Sequence, residues 1–231
     1  MQIGIGADMF AGHIGAGLAI AHAERRVNVG AFIAAALLLD LLLWSFVLLG
    51  WESVSISAAF ASTHQPEFVF PYSHGLAASL AWSAVAGGAA FIWYPPRHAL
   101  RWRASALVVA AVWSHWLLDA LVHRPELPLA GATSPKVGLG LWQNMPVALG
   151  VEAAVVVAGL LVFMPGSRLS RGKSLALASL TLIILGFTVV GMTIAPPPPS
   201  ALAMAGSSLA TLVVVCAAVC WLGKLPRERR A

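Results

Sequence analysis

The feature that most limits the fold of this chain is a series of apolar runs, each about 20 residues long. As an α-helix, a run of that length matches the hydrocarbon thickness of a bilayer, about 30 Å. Because a lipid-exposed segment must satisfy its backbone hydrogen bonds internally, each run is predicted to be a helix. The six runs are Val27–Gly50, Tyr72–Tyr94, Arg103–His123, Val147–Met164, Ser174–Ala195 and Ala201–Gly223.

A seventh segment, Ile3–Ala23, is rich in glycine and either spans the bilayer or lies half-inserted. The sequence therefore predicts an all-α integral membrane protein, a bundle of six or seven transmembrane helices in a single membrane domain over residues 1–231. The composition supports this class, since 59% of the residues are hydrophobic and only 10% are charged. An ordinary soluble domain has far more charge.

The basic residues predict how the chain is oriented. If every run spans, twelve of the fourteen Lys and Arg residues fall on one side, and only Arg124 and Lys136 fall on the other. This is the positive-inside pattern, so the protein is predicted to be multi-pass with a cytoplasmic C-terminus. Because topology accounts for the net charge of +5, the expected partner is the lipid bilayer and not nucleic acid.

Ionisable side chains lie inside these apolar runs, where they are costly unless they have partners. His115, Asp119 and His123 are spaced at i, i+4 and i+8, so on a helix they share one face within about 80°. A central Asp alone costs about 2.5–3.5 kcal/mol on insertion scales. Asp40 is surrounded by leucine in its own run, so its partners must come from other helices.

The charge-derived topology brings polar residues of different runs to one level. Five fall in the non-cytoplasmic half of their runs: His74, His115, Asp119, His123 and Glu152. Asp40 lies near the centre of its run, and His13 can reach the same depth. Because chance would scatter such residues over both leaflets, their convergence indicates a single site. A divalent metal would satisfy mixed His and Asp ligands, with Zn²⁺ preferred and Mn²⁺ or Fe²⁺ as alternatives. The Pro- and Gly-rich segment 124–146 is predicted to cover this site.

Three functions follow from such a site. A metal-bound water with its pKa lowered to about 7 attacks esters at neutral pH, so the first hypothesis is a membrane-embedded metal-dependent hydrolase. Its substrate would be a lipid or lipid-linked phosphoester at the non-cytoplasmic side. An ion or proton transporter would use the same residues as a path, and a structural or accessory subunit of a membrane complex would use them to bind a structural metal or to hydrogen-bond internally. The residues leave open whether the protein is an enzyme.

Four motifs resemble those of the inner-membrane-associated metal-dependent hydrolases, a family also described as LexA-binding. They are Gly12-His13, Asp40, Ser73-His74, and Ser114-His115 with Asp119. The resemblance implies a hydrolase of the bacterial inner (cytoplasmic) membrane. It covers roughly residues 9–164, the metal-site helices, and leaves residues 174–223 as two additional scaffold helices.

The order of the ligands is also similar to that of zinc-dependent phospholipase C. That likeness implies one metal on Asp40, His74, His115 and Asp119, a second on His13 with Asp119 bridging, and a third site that begins at His123. Asp119, His123 and Glu152 are the expected catalytic groups. The chain departs from that pattern after His123, because no His followed four residues later by Glu is present. Glu152 or Glu126 would have to substitute.

Overall fold

A computed structural model of the chain describes residues 10–94 and 98–225. Residues 3–9 of the seventh segment lie outside these ranges, as do four arginines of the charge pattern, Arg97, Arg227, Arg229 and Arg230. The helices are α1 (Ala11–Ala21), α2 (Val29–Ala36), α3 (Leu38–Leu48), α4 (Phe60–Thr63), α5 (Leu76–Trp93), α6 (His98–Val122), α7 (Met145–Phe163), α8 (Arg171–Thr193) and α9 (Ala201–Leu222). Five of them, α5 to α9 in chain order, are long and apolar enough to cross a membrane. The predicted all-α membrane bundle is confirmed.

The first predicted run is broken in the middle. α2 and α3 are bent by 49° relative to each other, and Leu37 between them has φ −98° and ψ 3°, outside the helical region. Together the pair has the length and composition of a sixth crossing. The break contains neither Pro nor Gly; instead, His115 of α6 donates a hydrogen bond to the Ala36 carbonyl oxygen (2.6 Å). A side chain that inserts into the backbone ladder is a recognised cause of such a bend.

The described part of the seventh segment, α1, is a half-length helix. Its 11 residues extend about 17 Å, roughly half of the hydrocarbon thickness. It packs against α7, α2 and α6. A Cβ added at Gly15 would lie 2.6 Å from the Val155 carbonyl oxygen, and Gly159 of α7 faces the Gly15 backbone. These two glycines let α1 and α7 approach closely, so the N-terminus of α1 ends inside the bundle.

Basic residues gather at one end of the bundle, here called the basic end. Three contacts tie its segments together: Lys173 Nζ donates to the Lys224 carbonyl oxygen (2.7 Å), Asn28 Nδ2 donates to the Cys220 carbonyl oxygen (2.8 Å), and Arg103 approaches Glu24 (3.9 Å). The described Lys and Arg residues of this end are Arg25, Arg26, Arg101, Arg103, Arg168, Arg171, Lys173 and Lys224.

The opposite end, here called the site end, carries the longer connections. The segment between α3 and α5 forms an antiparallel pair, β1 (Ser53–Ser55) with β2 (Glu67–Val69), and the segment between α6 and α7 forms a second pair, β3 (Leu127–Pro128) with β4 (Lys136–Val137). A 3₁₀ turn, Leu141–Gln143, follows β4. Gln65 Nε2 donates to the Trp142 carbonyl oxygen (2.9 Å), so the two connections are joined over the helices.

Candidate metal centre

Four side chains from three segments converge at the site end. His115 and Asp119 lie one turn apart on α6, Asp40 lies on α3 just after the bend, and His74 lies just before α5. All four are buried, with at most 8% of each residue exposed. The bend between α2 and α3 and the turn before α5 therefore deliver two of the four groups, and one face of α6 delivers the other two.

Five distances between possible coordinating atoms are close to those in a tetrahedral shell. His115 Nε2 lies 3.1 Å from His74 Nε2 and 3.1 Å from Asp119 Oδ2, and His74 Nε2 lies 3.3 Å from Asp119 Oδ2. Asp40 Oδ1 lies 3.5 Å and 3.6 Å from the two histidine nitrogens. Ligands about 2.0–2.1 Å from a tetrahedral Zn²⁺ are about 3.3 Å apart. His74, His115 and Asp119 fit one such ion, and Asp40 lies within 3.6 Å of both histidine nitrogens.

The tautomer of His115 is fixed by the backbone. Its Nδ1 lies 2.6 Å from the Ala36 carbonyl oxygen, and a carbonyl oxygen only accepts hydrogen bonds. Nδ1 therefore carries the proton, and a neutral His115 presents the Nε2 lone pair to the other three groups. This is the support that metal-binding histidines normally have.

The tautomer of His74 is fixed by a chain of side chains. Glu52 accepts three hydrogen bonds, from the backbone N–H groups of Tyr72 (2.7 Å) and Ser73 (2.8 Å) and from Ser73 Oγ (2.7 Å). Because the single hydroxyl proton of Ser73 goes to Glu52, the contact between Ser73 Oγ and His74 Nδ1 (2.8 Å) has the histidine as donor. His74 Nε2 is again left with its lone pair.

With both rings neutral, the Nε2 lone pairs and the carboxylate oxygens of the centre have no hydrogen atoms between them. Within the part of the chain that the structure describes, the buried Asp119 Oδ2 has no hydrogen-bond donor, although two histidine nitrogens lie within 3.3 Å of it. Buried polar atoms without partners are costly, and a cation would satisfy all of them together. The described residues could hold a metal ion in two overlapping groups, His74–His115–Asp119 and His13–Asp40–His115, whose ligand atoms lie within 4.8 Å of one another.

His13 extends the centre on the other side of Asp119. Its Nε2 lies 3.2 Å from Asp119 Oδ1, so the two oxygens of this carboxylate face different histidines. The His13 ring stacks on His115, with ring centroids 3.7 Å apart. This arrangement suits a carboxylate that bridges two ions, as the likeness to phospholipase C implies. The number of bound ions stays a prediction.

A small cavity of about 20 Å³ adjoins the centre, which is room for one water-sized group. Its lining consists of His13, Asp40, Leu43, Phe68, Phe70, His74, Asp119, His123 and Trp142. His123 stands at the wall, where its Nδ1 donates to Glu126 Oε1 (2.7 Å) and its ring lies against Trp142, with centroids 4.1 Å apart. Its Nε2 is then the proton-accepting atom of a neutral ring.

Glu152 lies apart from the cavity lining. Its Oε1 accepts a hydrogen bond from the Gly12 backbone N–H (2.8 Å), so the carboxylate caps the N-terminus of α1 from α7. The residue is only 6% exposed. A carboxylate at a helix N-terminus is stabilised by the unpaired N–H groups there. The acid–base role predicted for Glu152 stays a prediction.

Sequence reasoning did not identify the supporting residues. Glu52 and Ser73 are 21 positions apart, and Glu52 sits in a connection whose sequence indicates no chemistry. Trp142, Phe68 and Phe70 line the cavity from the two connecting segments. The only available signal was the Pro- and Gly-rich segment 124–146, which was predicted to cover the site and which supplies Trp142.

No family model, curated protein or solved structure matches the chain. The resemblance to metal-dependent hydrolases therefore stays an expectation based on the motifs. Functional inference starts from the geometry of the centre.

Proposed function

We propose that the protein is a membrane-embedded metal-dependent hydrolase, a phosphoesterase of the bacterial inner membrane that acts on a lipid or lipid-linked substrate at the non-cytoplasmic side. One observation carries the proposal: the Nε2 atoms of two buried histidines converge with the buried Asp119 carboxylate at the spacing of metal ligands, and a second buried carboxylate, Asp40, lies within 3.6 Å of both. Zn²⁺ is the preferred ion for this ligand set, with Mn²⁺ and Fe²⁺ as alternatives.

Some of these residues would bind the ion, and others would transfer protons. A bound metal would supply a water of lowered pKa and an electrophile for a phosphoryl oxygen. Asp40, His74, His115 and Asp119 would hold it; the ligand atoms of the last three lie 3.1–3.3 Å apart, and Asp40 lies within 3.6 Å of the two histidine nitrogens. His123, which lines the cavity and whose Nδ1 donates to Glu126, is suited to move a proton as general base or acid.

The surroundings favour ester chemistry over exchange with solvent. Phe68, Phe70 and Trp142 close the cavity with apolar surface, and a site with little water strengthens the interaction of charges inside it. The cavity admits only a water-sized group, so the bulk of a substrate must lie outside it. The reacting phosphoester would approach from the site end.

A transport path is less well supported. Such a path needs polar groups that continue to the basic end. Among the helical residues whose side chains the structure describes, the buried His, Asp and Glu side chains belong to this centre and to the contact of Glu152 with Gly12. At the basic end the described chain buries Glu24, whose carboxylate is paired with Arg26.

The test is metal content of the purified protein by elemental mass spectrometry, followed by a phosphate-release assay with phospholipid phosphoesters. We expect one or more Zn, Mn or Fe per chain in the wild type and background levels in Asp119→Ala and His115→Ala. His22→Ala, at the basic end, is the matched control and should keep its metal. Metal-free wild-type protein from supplemented cultures, with folded variants indistinguishable from it, would rule out the hydrolase. Stoichiometric metal without phosphate release from any phosphoester would instead indicate a structural ion in an accessory subunit.

A further inference from the structure

A second and much larger cavity lies at the site end. Its volume is about 770 Å³, within the range of small-molecule pockets, about 300–1,000 Å³. We call it the side chamber. Trp142 lines both the side chamber and the small cavity of the metal centre. The two cavities therefore share one lining residue.

The lining of the side chamber is amphiphilic. Residues 62–65 and Arg124 contribute hydroxyl, imidazole, amide and guanidinium groups, whereas Met145 and Leu149 of α7 and Met192 of α8 contribute apolar surface. Arg124 and Lys136 are the two cations that the described chain places at this end, and Lys136 does not line the chamber. The chamber thus pairs a guanidinium, whose Nε also lies 3.9 Å from Glu126 Oε2, with an apolar wall.

His64 in this lining has an unusual backbone conformation. Its φ of 55° lies in the left-handed region, and no other described residue except glycine has a positive φ. The conformation is held by a hydrogen bond from the His64 N–H to the Phe60 carbonyl oxygen (2.7 Å). Such a conformation costs free energy in a residue with a Cβ and occurs often at binding sites. It places an imidazole in the chamber wall on the polar side.

We propose that the side chamber binds an amphiphile that carries a phosphate group, with the phosphate at Arg124 and His64 and the first part of its chain along Met145, Leu149 and Met192. A guanidinium binds phosphate through charge-assisted hydrogen bonds, and the apolar wall would shield the chain. The inference rests on the proposed function, because it identifies the side chamber as the substrate site of the metal centre behind Trp142.

Binding can be measured apart from turnover. The probe is a fluorescent short-chain phosphatidic acid, followed by anisotropy with the full-length protein in maltoside micelles, before and after metal removal by a chelator. We expect Arg124→Gln to weaken binding roughly tenfold or more, since a hydrogen bond to a charged group contributes that much. Lys136→Gln, the other cation of this end, should bind like the wild type.

A second variant tests the apolar wall. Leu149→Trp would fill the chamber and should abolish binding, whereas Leu161→Trp, at a position on the same helix that is 69% exposed, should not. Both variants must first show wild-type thermal unfolding. A third variant that shortens the wall, Met192→Ala, should weaken binding and covers the case in which Leu149→Trp fails to fold.

The outcomes separate this inference from the proposed function. Binding that depends on Arg124 and Leu149, with no phosphate release under any metal, would support the side chamber and count against the hydrolase. Phosphate release that neither substitution changes would support the hydrolase and overturn the side chamber. Inorganic phosphate that competes as well as unlabelled phosphatidic acid would also overturn the proposal, because the chain would then contribute nothing.

Discussion

The carboxylates of Asp119 and Glu24 are both buried, and they differ in what surrounds them. Glu24 accepts hydrogen bonds from Arg26 Nε (2.8 Å) and Nη2 (2.6 Å), and an arginine is a permanent cation. The Glu24 region at the basic end is thus complete without any ligand. Asp119 faces Nε2 atoms of His74 and His115, which in the neutral tautomers fixed by their neighbours have no proton to donate. A buried carboxylate therefore indicates a binding site when its oxygens lack hydrogen-bond donors, and burial of the charge alone does not.

The largest expected effect is a difference between Asp119 and Glu24 variants in how far added metal stabilises the protein. In Asp119→Asn, added metal should no longer raise the Tm, because one ligand of the ion is replaced. For the wild type the stabilisation should be about 2.7 kcal/mol at a free metal concentration of 100 times Kd. Thermal unfolding with and without metal is the measurement, and Glu24→Gln is the control that should respond like the wild type. Equal metal responses in all three proteins would remove the distinction between the two regions.

The hydrogen bonds that orient His74 give a second test of whether this region, unlike the Glu24 region, binds a metal. Ser73→Ala removes the acceptor of the His74 Nδ1 proton, and loss of such a partner typically lowers metal affinity 10- to 100-fold. Competition with a chelator of known affinity measures this. Ser83→Ala, a buried serine that bonds within its own helix, is the control. Because Glu52 acts through Ser73, the double variant Ser73→Ala/Glu52→Gln should lose little more affinity than Ser73→Ala alone; additive losses would contradict this chain.

Glu152 tests whether a third buried carboxylate is structural or catalytic. Glu152→Ala leaves the Gly12 N–H without its acceptor and should cost about 1–3 kcal/mol of stability. Glu152→Gln keeps an acceptor oxygen and should cost less, with metal content unchanged in both. Denaturation and elemental analysis provide the readouts. If Glu152→Gln instead keeps its stability and loses phosphate release, the acid–base role predicted from the sequence is supported.

The smallest effect concerns Glu24 and pH. Hydrogen bonds from Arg26 outweigh burial and hold the pKa of the Glu24 carboxyl below its ordinary value. A lowered pKa in the folded state means that the pair stabilises the fold at neutral pH, and that this contribution is lost as the pH falls through the acidic range. The Tm difference between wild type and Glu24→Gln should therefore be small and positive at pH 7 and vanish in acid. A difference that grows in acid would show that the pair is not the cause.

The sequence predicts the fold well because each run can be recognised by itself, from a length that matches the bilayer thickness. All six runs contain helices in the structure, and eight of the ten described Lys and Arg residues lie at the basic end, while the side of the membrane stays a prediction. The break at Leu37 was not predictable. The side chain that bonds the backbone there, His115, lies far along the chain, and no Pro or Gly marks the position. Burial of Asp40 and His115 among apolar residues was visible in the sequence; the distances that make them a centre depend on tertiary packing.

The hydrogen bond from His115 to the Ala36 carbonyl oxygen bears on which substitutions the centre tolerates. His115 is oriented by a main-chain oxygen, which every residue type supplies, whereas His74 is oriented by two specific side chains, Ser73 and Glu52. Substitutions at position 36 are therefore limited by its buried, apolar surroundings and not by this hydrogen bond. Ser73 and Glu52 are expected to be retained or lost together. In homologous chains, one histidine of the centre would keep its support through any drift of sequence, and the other would depend on a pair that must coevolve.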